Sequence, residues 1–95
     1  MSSAPADALR CEAVLADGSS CAALAEPLFL QLAGPGGGVV SLTLDYATSA
    51  EAGQPVAVEV WADRATRTLV FAHGRVAAEA GGTVARLSAV LRRGA

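Results

Sequence analysis

Ninety-five residues set one domain, expected over residues 1–95, with a thin core, since a chain this short buries only about 60–70% of its unfolded surface. A hydrophobic content of 53% and a mean hydropathy of +0.43 are high for a small monomer and imply apolar surface covered by a second copy. A net charge of −2 and few aromatic residues argue against a nucleic-acid partner, which requires a basic face or stacking platforms.

The opening MSSAPADALR has no apolar stretch of signal-peptide length, and no run approaches the ~20 apolar residues of a membrane span. Leu9, Cys11, Ala13 and Leu15 then alternate with Arg10 and Glu12, which predicts a first strand with one buried face. Asp17, Ser19 and Ser20 are good caps for a helix reaching to Gly34. That helix is apolar nearly all round: Cys21, Ala22, Ala23, Leu24, Ala25, Leu28, Phe29, Leu30, Leu32 and Ala33 leave no polar stripe, so it is expected to be enclosed by the rest of the fold. Glu26 is the one acid within it. Pro27 has no N–H and crowds the preceding turn, so either one helix kinks just past Glu26 or a second begins at Pro27; a kinked continuous helix is expected, because the apolar character continues to Ala33. Gly34-Pro35-Gly36-Gly37-Gly38 ends the helix.

Four strands follow. Val39–Tyr46 places Val40, Leu42 and Leu44 on one face. Pro55–Arg64 places Val56, Val58, Val60 and Ala62 opposite Glu59, Trp61 and Asp63. Arg67–Glu79 carries Val70, Ala72, Gly74 and Val76 on one face and Leu69, Phe71, His73 and Arg75 on the other. Gly81-Gly82 makes a hairpin turn into Val84–Arg93. Short connections predict antiparallel neighbours. The fold class is therefore α+β, one apolar helix on a curled antiparallel sheet in the order β-α-β-β-β-β. Small residues on the fourth strand, Ala72, Gly74 and Ala78, would let the helix approach closely. Cys11 and Cys21 form neither a CxxC pair nor a disulfide framework and are read as small buried hydrophobes in a reducing, cytoplasmic setting.

The order and spacing of these pieces resemble the hotdog-fold acyl-CoA thioesterases of the hydroxybenzoyl-CoA and phenylacetate-pathway type, from about Asp17 to Arg93. Members open the central helix with His-Gly-Gly and follow with Leu-Ala-Asp or Leu-Ala-Glu, whose acid is the catalytic carboxylate. Here the stretch stands as Asp17-Gly18-Ser19-Ser20-Cys21-Ala22-Ala23-Leu24-Ala25-Glu26, with the same spacing from first residue to acid. Glu51-Ala52-Gly53-Gln54-Pro55-Val56 resembles the family's entry to the third strand, and Arg64-Ala65-Thr66-Arg67-Thr68 its Arg-x-Gly-Arg-Ser turn. The motif is divergent. Asp17 stands for His and Ser19 for the second Gly, Pro27 follows the acid, Leu30 replaces a Ser or Thr, and Thr66 replaces a Gly.

The resemblance implies hydrolysis of an acyl-CoA or acyl-carrier thioester by a homodimer or tetramer. Coenzyme A is then part of the substrate, and no separate cofactor or metal is implied. Glu26 would be base or nucleophile, and the N–H groups of Gly18 and Ser19 would polarise the carbonyl at the positive end of the helix, beside Asp17. Arg64 and Arg67, with Arg92 or Arg93, would contact coenzyme A phosphates. In the family the acid and the helix start that meet one substrate come from different subunits. The alternative is a catalytically silent hotdog dimer that binds a ligand or serves as a scaffold. A hydratase or dehydratase on the same fold would need a catalytic His paired with an acid. His73, the only histidine, is expected on the outer face.

Overall fold

In the computed structural model, which describes residues 7–16, 21–48 and 51–94, the apolar alternation becomes a five-stranded antiparallel sheet with one helix across it. Strand β1 (Leu9–Val14) is followed by α1 (Cys21–Ala33), then β2 (Gly38–Tyr46), β3 (Pro55–Ala65), β4 (Leu69–Ala78) and β5 (Thr83–Arg92). Asp17, Gly18, Ser19 and Ser20 lie outside the described residues. Each central strand turns alternate residues inward. Val56, Val58 and Val60 of β3, Val70, Ala72 and Val76 of β4, and Leu87, Ala89 and Leu91 of β5 are buried. Cys21, Ala25, Leu28, Phe29 and Ala33 of the helix are buried with them.

The strand order is β1-β3-β4-β5-β2. This corrects the expectation that short connections make every consecutive pair neighbours. The chain leaves β2 at one edge of the sheet and enters β3 beside β1, and β2 pairs instead with β5. The β3–β4 and β4–β5 hairpins are neighbours as expected. The second closes through Gly81 and Gly82, at φ +111° and +88°, a left-handed backbone that residues with a Cβ rarely adopt.

Three further expectations change. The helix is not enclosed: Ala23, Glu26, Pro27, Leu30 and Gln31 are exposed, because a single sheet covers only one side of a cylinder. Pro27 lies inside one continuous helix, as expected. Val40 is not in the core beside Leu42 and Leu44. A bulge between Val39 and Ser41 adds a residue to the strand, which turns Val39 inward and leaves Val40 62% exposed. A second bulge, between Ala62 and Arg64, comes where β3 has run past the end of β1, and Ala62 is exposed rather than buried.

Candidate active site

Helix geometry places the acid. Ala23, Glu26, Pro27 and Leu30 are spaced three and four apart, so they share one face, the face turned away from the sheet. Glu26 stands five residues beyond Cys21, about 7.5 Å along the axis and about 140° round it. Its carboxylate therefore does not point back at the start of its own helix. Leu30, one turn on, is 41% exposed, so the acid sits on a partly apolar outer stripe. Among the described residues, nothing of its own chain covers Glu26, which is exposed.

The described residues on either side of 17–20 are anchored. Leu15 donates its N–H to the Gln54 carbonyl at 3.0 Å and accepts from the Gly53 N–H at 2.6 Å, so the loop before β3 holds the end of β1. Cys21 donates its N–H to the Tyr46 hydroxyl oxygen at 3.3 Å. Because β2 runs back along the helix, its last residue arrives at the helix start. Burial raises the Cys21 thiol above its ordinary value, and the Tyr46 hydroxyl beside it partly offsets that rise. Sequence reasoning missed Tyr46. The available signal was its place at the end of the strand that follows the helix, where an antiparallel return brings it level with the helix start.

The arginines gather at the opposite end. Arg64 and Arg67 lie exposed at the β3–β4 turn, with the Arg64 guanidinium 4.7 Å above the Phe71 ring centroid. Arg93 joins them, its Nη1 donating to the Thr66 carbonyl at 2.9 Å. The neighbouring Gly94 N–H donates to the Ala33 carbonyl, which marks this as the C-terminal end of the helix. His73 lies on the outer sheet face as expected, its Nε2 3.6 Å from Asp63 Oδ2 and its ring 6.4 Å from that of Trp61. One chain therefore keeps three candidate groups apart: an outward acid in mid-helix, the helix start at Cys21 at one end and arginines at the other.

Residues 4–85 match the family model of the thioesterase superfamily. The chain belongs to the thioesterase superfamily. The architecture is the hotdog fold seen in solved structures. The TT0310 protein of Thermus thermophilus superposes with a TM-score of 0.77 at 20% identity, covering 90% of this chain and 83% of that one. The E. coli PaaI protein, from the phenylacetic acid degradation operon, gives 0.76 at 13% identity over 90% and 72%. The DHNA-CoA thioesterase of Staphylococcus aureus gives 0.75 at 17% identity over 90% and 72%. At these identities the superpositions establish the fold, and the family model establishes the superfamily, whose common chemistry is thioester hydrolysis. Among curated proteins none matches this chain. Among the described residues of this superfamily member, no helix is long and apolar enough to cross a membrane.

Proposed function

We propose that this chain hydrolyses an acyl-CoA or acyl-carrier thioester as a homodimer, or a tetramer of such dimers, in the cytoplasm. Glu26 of one subunit serves as base or nucleophile at the helix start of the other. The observation that carries this reading is the exposed Glu26 on a helix face bordered by Leu30. The nine-residue strand β2 stands at the sheet edge, where its open hydrogen-bonding side is a template for another strand. Val40 on it adds exposed apolar surface. A two-fold partner joined along β2 would cover this stripe and remove water from around the acid. The same two-fold would bring the arginine end of one helix toward the start of the other. Arg64 and Arg67 would then hold the coenzyme A phosphates of a substrate whose carbonyl lies beside Asp17, Gly18 and Ser19. Coenzyme A enters only as part of the substrate.

The rival is a silent dimer that binds a ligand or scaffolds, favoured by Asp17 and Leu30 standing where the family has His and a hydroxyl residue. Thiol release from short, medium and aromatic acyl-CoAs, for wild type and Glu26→Gln, separates the two. Release that collapses in a folded Glu26→Gln variant supports the enzyme. No release from any member by wild type supports the silent dimer. Release unaffected by the substitution removes Glu26 from the mechanism.

A further inference from the structure

We propose that the Tyr46 hydroxyl is a catalytic donor that polarises the thioester carbonyl beside the start of α1. This inference rests on the thioesterase reading above.

Tyr46 ends β2, paired with Ala85, on the same side of the strand as the half-buried Leu42 and Leu44. An inward-facing aromatic would ordinarily be covered, yet Tyr46 is 49% exposed. Its hydroxyl reaches the helix start, and about half of the residue as a whole stays open to solvent. The phenolic oxygen accepts the Cys21 N–H at 3.3 Å. That N–H is among the first of the helix, which have no acceptor within the helix itself. The bond draws electron density from the phenolic oxygen and strengthens its O–H as a donor. Among the described residues the O–H faces the Cys21 thiol, and sulfur is a weak acceptor. A carbonyl oxygen arriving at the helix start is a better one.

The divergent motif leaves a place for such a donor beside the helix-start N–H groups. Asp17 stands where the family has His. An ionised carboxylate only accepts hydrogen bonds and gives nothing to a carbonyl. On the base route, water attacks the carbonyl carbon and gives one proton to the partner subunit's Glu26. The π pair moves to oxygen, which is held by the Tyr46 O–H and the helix-start N–H groups, with no proton transferred from the phenol. Collapse restores the C=O and breaks the C–S bond. The thiolate leaves with the proton held on the carboxyl, giving a carboxylic acid and a free thiol.

The test is Tyr46→Phe, which keeps the ring and removes only the hydroxyl. The expected result is a kcat about 100-fold lower, the usual scale for one oxyanion donor, with KM changed less than about twofold. A second readout is the carbonyl stretch, by infrared difference, of a bound acyl-CoA analogue with CH2 in place of the thioester sulfur. It should sit lower in wild type than in Tyr46→Phe. A merely structural tyrosine would not move that band. Wild-type hydrolysis with kcat unchanged in Tyr46→Phe overturns this inference and leaves the thioesterase reading intact. If wild type binds the analogue but hydrolyses nothing, the thioesterase reading fails and this inference fails with it. No binding of the analogue by wild type overturns both.

Discussion

The tip of the Phe29 ring lies 3.2 Å from where a Cβ on Gly74 would stand. The Glu59 carbonyl oxygen lies at the same 3.2 Å from that point, so an added side chain would be squeezed between helix and sheet backbone. Gly74 is thus the place where α1 rests on β4. Gly74→Val is expected to cost about 2–3 kcal/mol and Gly74→Ala about 1 kcal/mol, the ordinary range for overpacking. Urea unfolding monitored by Trp61 fluorescence measures both. A Gly74→Ala protein more stable than wild type would show that the helix has room to move.

Glu59 is the acceptor for Arg75 on the outer face, Nη2 to Oε1 at 2.9 Å, with Arg10 at 3.8 Å on its other oxygen. Its side chain is only 15% exposed and that of Arg75 29%. Glu59→Ala therefore leaves a half-buried guanidinium without its acceptor. A loss of about 1–2 kcal/mol is expected, scaled down from a fully buried pair because water reaches Arg75. Arg75→Ala should cost less than Glu59→Ala, since Glu59 retains Arg10. Equal losses in chemical denaturation would contradict this ordering.

Burial raises the Cys21 thiol above its ordinary value of 9.0. The folded state therefore holds its proton at pH values where the unfolded state releases it. That stabilising term is fully present below pH 9 and is lost as pH rises through the folded value. Stability should fall on the alkaline side of pH 9, and Cys21→Ala should flatten that slope whatever it does to stability at pH 7. Titrating the urea midpoint from pH 7 to 10.5 gives the comparison.

If β2 and the outer stripe of α1 form the subunit contact, Val40→Lys and Leu30→Asp should convert a dimer to folded monomers. Sedimentation equilibrium reads the mass, and circular dichroism confirms that the sheet is intact. A wild type that is monomeric at micromolar concentration would remove the shared-site reading of Glu26.

Arg64→Gln with Arg67→Gln should raise KM for an acyl-CoA about tenfold at unchanged kcat, because phosphate contacts away from the reacting carbonyl bind ground and transition states alike. The same thioester on pantetheine, which lacks the nucleotide, should be hydrolysed equally by variant and wild type. A matching loss on pantetheine would place the arginines elsewhere in the mechanism.

Much of this architecture was legible in the residues. Period-two alternation in β3 and β4 marked Val56, Val58, Val60, Val70, Ala72 and Val76 as inward, because a strand's pleat fixes which residues share a face. Glu26, the acid of the proposed mechanism, was singled out by its spacing along one helix, which is also a local property. What the order of residues could not reveal was non-local. The placement of β2 beside β5 depends on which sheet edge a loop reaches. The bulge that exposes Val40 depends on the register of the partner strand. That Glu26 faces away from its own helix start depends on which side of α1 the sheet covers. Tyr46 at Cys21 is a contact between residues 25 apart, created only when the chain doubles back along the helix. The sequence determined the elements and most of their inward faces, because these follow from local periodicity. Only the tertiary structure decided the strand order, the exposed face and the hydroxyl at the helix start, because these arise from packing between segments distant along the chain.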